Sequence, residues 1–155
     1  MKHGEIKEMS ETQKAYIAGM MDADGCVGIS KNKSRSNLYE FDFTKRAMIT
    51  NCDYNLITWL HDVVGAGTAY QYKKSGSDNW RIVHRYQITG KKCRAFLKQI
   101  LPYMIIKKDR AQLVMSLPVR GNNGQSGRTL KDYGLQDILF NEVKALNQRG
   151  VQDER

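Results

Sequence analysis

An alternation of residue types runs through the middle of the chain, from Leu38 to Asn51. A repeat of two is typical of a β-strand, in which successive side chains point to opposite faces of the sheet. One face of the predicted strand carries Tyr39, Phe41, Phe43, Ala47 and Ile49. The other face carries Glu40, Asp42, Thr44, Arg46 and Met48. The pattern therefore predicts a strand of an antiparallel sheet that has one covered face and one open face.

Shorter patterns on both sides of this strand predict the rest of the fold. A first strand begins at Cys26 and is followed by a polar loop over residues 31–37, while Thr68–Ser75 and Trp80–Ile88 form a hairpin pattern. Helices are predicted over residues 10–24, 53–64, 91–101, 107–117 and 131–147. We therefore predict a mixed α/β (α+β) fold in the order α-β-β-α-β-β-α. Its four-stranded antiparallel sheet would be covered by helices on one face.

The length of 155 residues is that of one domain. We predict a single domain over residues 1–155, with a first helix (10–24), a sheet with core helices (26–117) and a C-terminal helix (131–147). Three widely spaced cysteines lack the spacing of a zinc site, which indicates free thiols in a reducing compartment. They are Cys26, Cys52 and Cys93.

The charge of the chain is strongly positive, with 25 Lys and Arg against 16 Asp and Glu and a formal net charge of +9. Such an excess favours a polyanionic partner, because basic side chains release counterions from nucleic acid. Ribosomal and membrane-surface proteins share this sign of charge. No segment is apolar for long enough to span a bilayer, and residues 1–10 do not resemble a signal peptide. We expect an intracellular protein, in a prokaryotic cytoplasm or an organelle.

The first predicted helix carries the most specific pattern in the chain. Ser10 and Gln13 have the spacing of a capping box, and the run from Ala15 to Met21 is apolar nearly all round. The helix ends in two acids, Asp22 and Asp24, at the negative end of its dipole. Asp22 is therefore expected to have a backbone or side-chain partner. Taken alone, these acids are also typical of an ordinary helix-to-strand turn.

Residues 17–25 closely resemble the nine-residue motif of the LAGLIDADG homing endonucleases. The pair Ala18-Gly19, the apolar positions and both acids match, and each departure replaces one apolar residue with another. A chain with one motif is similar to the branch whose members act as homodimers. The resemblance implies an intron- or intein-encoded enzyme that cuts both strands of a long pseudo-palindromic DNA site and leaves short 3′ overhangs. An intron RNA maturase, or a DNA-binding relative that does not cut, is the alternative.

The motif also implies a dimer contact and a metal site. Small residues allow a second helix to approach closely, and the predicted dimer contacts are Ala18, Gly19 and Asp22. Two copies of Asp24 would then meet and would need a cation between them. The resemblance implies that Asp24 binds the metal through its carboxylate and Ala23 through its backbone carbonyl. Mg²⁺ or Mn²⁺ is the expected metal, and Ca²⁺ is expected to bind without supporting cleavage.

Two further catalytic residues are implied by their positions. Lys107 stands where relatives have a basic residue that reaches the scissile phosphate, with the adjacent Lys108 as the alternative. Asn51 stands where the family often has Gln or another polar residue near the active site. Its alternative role is to cap the helix that begins near Cys52 or Asp53. The second basic active-site residue of the family has no clear match.

The open face of the sheet is expected to contact DNA, because Arg, Asn and Gln can hydrogen-bond base edges in the major groove. The strand candidates are Ser30, Asn32, Thr44, Arg46, Arg81, Arg85 and Gln87. Tyr70 and Tyr72 are further candidates that are as often core residues. Loop residues predicted to meet phosphates are Lys33, Arg35, Lys73 and Lys74. His84 alternates with aromatic residues and is predicted to be a core histidine.

Overall fold

The computed structural model describes residues 5–34, 40–72, 82–118 and 130–148. Its elements confirm the predicted order of helices and strands. They are α1 (Glu11–Ala23), β1 (Cys26–Lys33), β2 (Phe41–Asn51), α2 (Tyr54–Val64), β3 (Thr68–Tyr72), β4 (Val83–Thr89), α3 (Gly90–Ile100), a 3₁₀ turn (Leu101–Tyr103), α4 (Lys108–Ser116) and α5 (Leu130–Gln148). No helix in these ranges is long and apolar enough to cross a membrane.

The four strands form one antiparallel sheet in the order β1-β2-β4-β3. The pairs Ala47–Ile88 and Ile49–Tyr86 place buried side chains on the same face. The alternate positions of β2 and β4 point the other way, because side chains in a strand alternate between faces. The period of two in the sequence is therefore confirmed, and it divides the sheet into a helix-covered face and an open face.

The start of α1 is fixed as the sequence predicts. The Ser10 hydroxyl accepts a hydrogen bond from the Gln13 N–H at 3.3 Å, and the Gln13 side-chain oxygen accepts from the Ser10 N–H at 2.9 Å. This capping box satisfies two backbone donors that a helix start leaves without partners. Ile17 and Met21 of α1 are buried in the core, together with Phe96 of α3. The helix is thus held firmly against the rest of the domain.

The first strand is longer than predicted, because residues 31–33 continue the ladder rather than form a loop. Lys31 pairs with Phe43, and its ammonium lies 4.6 Å from the centroid of the Phe41 ring. The same ammonium bonds the carboxylate of Asp137 in α5 at 3.0 Å. These contacts allow a charged side chain to occupy the helix-covered face. Lys33, which we predicted to be in a loop, is the exposed last residue of this strand.

Lys45 was not among the predicted inward residues, yet its side chain belongs to the buried face. Only 2% of this residue is exposed, and its neighbours along the strand, Phe43 and Ala47, are buried on the same face. Burial lowers the pKa of Lys45, because it disfavours the charged form, and the nearby Arg94 lowers it further. The alternation from Leu38 to Asn51 therefore includes Lys45, although a lysine is ordinarily expected to be exposed to solvent.

Candidate active site

Asp22 anchors the end of α1 to the segment that precedes α4. Its two carboxylate oxygens accept hydrogen bonds from the backbone N–H groups of Ile105, at 2.7 Å, and Lys107, at 2.9 Å. Partial burial acts to raise the pKa of Asp22, but these backbone donors outweigh it and hold the pKa below its ordinary value. The expected partner for an acid at a helix C-terminus is therefore present, and it consists of backbone groups.

Lys107 also binds the same turn, through the amino group of its side chain. Its Nζ donates to the backbone carbonyls of Met21, at 2.8 Å, and Gly25, at 2.7 Å. Helix α1 has no basic residue in its own last turn, so Lys107 supplies the positive charge that favours a helix C-terminus. Burial and the neighbouring Arg110 lower the pKa of Lys107, while Asp22 acts against them. The residue predicted to reach the scissile phosphate thus has its amino group on the backbone of the motif.

Asp24 lies between these fixed points and is exposed. It is the C-cap of α1, and its backbone N–H donates to the Met20 carbonyl at 2.9 Å. The next residue has to be glycine, because a Cβ on Gly25 would lie 2.7 Å from the Cα of Met21. A rigid turn therefore presents an acid at the surface, and the neighbouring Ala23 is exposed as well.

The donor atoms at this turn suit a hard divalent cation, since Mg²⁺ and Ca²⁺ prefer carboxylate and carbonyl oxygens. One chain alone does not complete such a site. Within the described ranges, no group of three or more His, Cys, Asp or Glu side chains is placed to hold a metal. The turn of Asp24 therefore fits a metal only if further oxygen ligands come from a second copy, from a nucleic acid or from water.

The outer side of α1 is exposed and built of small or apolar residues. Exposed positions recur at helical spacing, and beyond the charged Glu11 of the first turn they are Thr12, Ala15, Tyr16, Gly19 and Ala23. Next to the end of the helix, Ile105 is 86% exposed and Ile106 is 76% exposed. Large exposed apolar side chains of this kind are typical of a protein–protein interface.

The predicted dimer contacts need one correction in the light of this outer surface. Ala18 is fully buried in its own chain, because it lies on the inner side of α1, and it has no side-chain surface to offer a partner. Gly19 is exposed, and a Cβ built on it meets nothing within 4 Å. The carboxylate of Asp22 is already bound to its own chain. Gly19 and its exposed neighbours thus remain as the candidate contact surface.

Asn51 lies at the junction between β2 and α2. Its side-chain oxygen accepts a hydrogen bond from the Asp53 N–H at 2.8 Å, and the Asp53 carboxylate caps α2 by accepting from the Leu56 N–H at 3.0 Å. Asn51 thus supports the start of α2 through Asp53. This is similar to the alternative role given above, in which Asn51 caps the helix itself. Its role in holding a catalytic water stays a prediction.

The open face of the sheet gathers most of the residues predicted to contact DNA. Cross-strand pairs such as Ser30–Thr44 and Tyr70–Arg85 occupy this face. The register places there Ser30, Asn32, Thr44, Arg46, Tyr70, Arg85 and Gln87. Tyr72 is the last residue of β3, and the predictions for Arg35, Lys73, Lys74 and Arg81 lie outside the described residues.

Hydrogen bonds between side chains hold this open face in shape. The Nε of Arg85 donates to the Thr50 hydroxyl at 3.2 Å, and the Tyr70 hydroxyl bonds the Gln87 side-chain oxygen at 3.3 Å. The Nε of Arg46 is buried and has no hydrogen-bond partner within the described part of the chain. The face presents oriented donors to whatever lies on it.

His84 lies neither on the outer side of α1 nor on the open face of the sheet. It is half-buried on the helix-covered side of β4, where its ring lies 5.1 Å from that of Tyr54. The prediction of a packed rather than catalytic histidine agrees with this placement.

A family model described as LAGLIDADG endonuclease matches residues 17–116, a range that contains the Asp24 turn, Lys107 and the whole sheet. The chain belongs to the LAGLIDADG endonuclease family. A comparison with curated protein sequences found no match.

Solved LAGLIDADG structures share the fold of this family member. The homing endonuclease I-CvuI, in complex with the I-CreI target, superposes with a TM-score of 0.72 and 19% identity over 88% of this chain and 82% of that one. The archaeal intron-encoded homing endonuclease I-Vdi141I, in complex with DNA, gives 0.69 and 18% identity over 88% and 84%. The meganuclease I-SmaMI, bound to uncleavable DNA, gives 0.59 and 20% identity over 86% of this chain but 42% of that one.

Three features of this LAGLIDADG protein were missed at the level of sequence. The two backbone contacts of the Lys107 amino group depend on the path of residues 101–107, for which the sequence carries no signal. The sequence carries only a weak signal for the exposure of Ile105 and Ile106. Two adjacent isoleucines between helices cannot both point into the core. The burial of Lys45 was readable from its place in the alternation.

Proposed function

We propose that this LAGLIDADG endonuclease is a homodimeric, divalent-metal-dependent homing endonuclease. It cuts both strands of a long pseudo-palindromic DNA site and leaves short 3′ overhangs. The observation that carries the proposal is the position of Asp24, an exposed acid at the end of a helix whose outer side is also exposed and apolar. Such a helix end can meet its own copy only across a two-fold axis.

A second copy of the chain explains the exposed surface around α1. Gly19 leaves space for a close approach, and Tyr16, Ile105 and Ile106 supply apolar surface that association would bury. The proposed dimer brings the two Asp24 turns together beside its axis. The coverage of 42% of the I-SmaMI chain by this chain agrees with one copy forming about half of a DNA-bound unit.

The open face of the sheet provides the surface for duplex DNA. Arg46, Arg85 and Gln87 offer donors that match base edges in the major groove. The formal charge of +9 favours association with phosphates along the rest of the duplex. Two sheets related by a two-fold axis would read two half-sites, so a pseudo-palindromic target follows from the symmetry of the dimer.

Asp24 and the backbone carbonyl of Ala23 would hold the metal. A bound Mg²⁺ supplies a water of lowered pKa and neutralises charge on the oxygens of the phosphodiester. The chain itself fixes the acid, because Asp22 and Gly25 on either side of it cannot move without breaking packing or hydrogen bonds. For the related protein I-CvuI, complexes with DNA were obtained with 2 mM Mg and with 2 mM Ca.

The test begins with selection of a target from a library of long duplexes in the presence of Ca²⁺, followed by Mg²⁺ on a plasmid that carries the site. We expect the wild-type protein to linearise the plasmid. Asp24→Asn is expected to bind the site with an affinity within about threefold of wild type and to cut at least ~10²-fold more slowly, because it weakens the metal site without touching the sheet.

Glu142→Gln is the matched control, since it removes an exposed carboxylate from α5. It is expected to cut at the wild-type rate. Cutting by Asp24→Asn at that rate contradicts the proposal. Tight binding of intron RNA, with no nicking of any duplex in Mg²⁺ or Mn²⁺, would instead support a maturase.

A further inference from the structure

We infer that Lys107 is a positioning residue for the Asp24 turn, because its amino group binds the backbone carbonyls on both sides of the acid. The inference rests on the proposed function, because it assigns Lys107 a role in the same site. It adds to the role that the sequence position suggests one that the contacts of the side chain support.

Four hydrogen bonds join the segment from Ile105 to Lys107 to the end of α1. Two backbone N–H groups of this segment bind Asp22, and the amino group of Lys107 binds the carbonyls of Met21 and Gly25. The carbonyls bound by Lys107 lie on either side of Asp24 in the chain. The acid is therefore carried by a turn that is attached at three of its residues to one external segment.

The Lys107 amino group is held on the Asp24 turn by two short hydrogen bonds. Its bonds to the carbonyls of Met21 and Gly25 measure 2.8 Å and 2.7 Å, which are lengths typical of strong, charge-assisted hydrogen bonds. Turning the amino group to another acceptor would leave both carbonyls without this donor at the negative end of the α1 dipole. Lys107 is also half-buried, whereas Asp24 is exposed.

The consequence for Asp24 is geometric. A hard cation accepts only a narrow range of ligand positions, and Mg²⁺ tolerates less distortion than Ca²⁺. Groups that orient metal ligands typically change metal affinity by about 10–100-fold when they are removed. Lys107 is thus expected to act on how well the turn holds a cation.

Two variants of Lys107 separate these roles. Lys107→Met removes both hydrogen bonds and the charge, while Lys107→Arg keeps the charge but replaces the compact ammonium with a wide planar group. Lys98→Met is the matched control, because it removes an exposed lysine from α3. All proteins are compared by thermal unfolding in EDTA, by hydrogen–deuterium exchange and by cleavage over a range of Mg²⁺ concentrations.

For a positioning role we expect both Lys107 variants to unfold about 3–6 °C lower than wild type in EDTA. Exchange of amides 22–26 is expected to be at least about tenfold faster, while the sheet amides stay protected. The Mg²⁺ concentration for half-maximal cleavage should rise about tenfold or more, and excess Mg²⁺ should restore most of the rate. Lys98→Met should match wild type in every measurement.

A role at the phosphate alone, without an effect on the turn, gives a different result and overturns the inference. In that case Lys107→Met cuts slowly at every Mg²⁺ concentration with an unchanged half-maximal value, Lys107→Arg keeps most of the rate, and exchange at residues 22–26 is unaltered. If Lys107→Met does not fold, Lys107→Arg still decides between the two roles. If the wild-type protein cuts no DNA, the proposed function fails, while unfolding and exchange still test the attachment of the turn.

Discussion

Asp22 and Asp24 stand two positions apart in the chain, yet the fold gives them opposite surroundings. Asp22 accepts hydrogen bonds from two backbone N–H groups, and Asp24 is exposed at the end of the helix. The need of Asp22 for a partner was predictable, because a carboxylate at a helix C-terminus is unfavourable without one. The identity of that partner was not, since it comes from a segment more than eighty residues further along the chain.

The lowered pKa of Asp22 predicts a dependence of stability on pH. Because the fold favours the ionised form, this stabilisation is complete above the ordinary pKa of 3.8 and is lost as the pH falls through the lower, folded-state value. Asp22→Asn should lower the free energy of unfolding by about 1–3 kcal/mol at neutral pH, because an amide cannot accept from both backbone donors. Urea unfolding at neutral pH and below pH 3.8 measures the difference.

The control for this prediction is Asp24→Asn, whose exposed side chain should change stability little in the absence of metal. The difference between wild type and Asp22→Asn should shrink as the pH falls below 3.8. A difference that stays constant across the pH range would show that the backbone contacts of Asp22 do not depend on its charge.

At the scale of elements, the strands were easier to predict than the orientation of α1. The period of two identifies both faces of β2 directly, including the face of Lys45. In α1 the residues Ala18 and Gly19 are both small, so composition cannot tell which one faces outward. A helix turns by about 100° per residue, and packing of Ile17 and Met21 in the core determines that Ala18 is inside and Gly19 outside.

The junction between α1 and β1 predicts a clear contrast between two glycines. Gly25→Ala should destabilise the fold by about 1–3 kcal/mol, because its Cβ would lie 2.7 Å from the Met21 Cα. Gly28→Ala is the matched control within β1, where an added Cβ meets nothing within 4 Å, and it should be neutral or slightly stabilising. Chemical denaturation of both variants checks the contrast, and equal effects would contradict the tight turn before β1.

At the scale of the whole molecule, charge and sheet geometry indicated a nucleic-acid surface from the sequence alone. The formal charge of +9 and the open face of β2 and β4 needed no knowledge of long-range contacts. The exposed surface of Ile105 and Ile106 did need such knowledge, because these residues lie beside the end of α1 although they are distant from it in the chain. A site shared between two copies is the proposal that connects this exposed surface with the exposed Asp24 of each chain.

One substitution should prevent formation of the proposed dimer without affecting the fold of the single chain. Gly19→Arg should leave the unfolding temperature of the single chain nearly unchanged, because its Cβ meets nothing within 4 Å, and should prevent association of two α1 helices. Gly134→Arg is the matched control, since Gly134 is exposed in α5 and also has free space around its Cβ. Gel filtration and cleavage assays should show loss of the dimer and of activity only for Gly19→Arg.

The central claim is that Asp24 forms half of an active site that two copies share. The mass of the protein–DNA complex in Ca²⁺, measured by light scattering or sedimentation on the selected target, tests this claim most directly. We predict two chains of 17.8 kDa on each duplex, with cutting of both strands when Mg²⁺ replaces Ca²⁺. A complex with one chain per duplex that still cuts both strands would contradict the account.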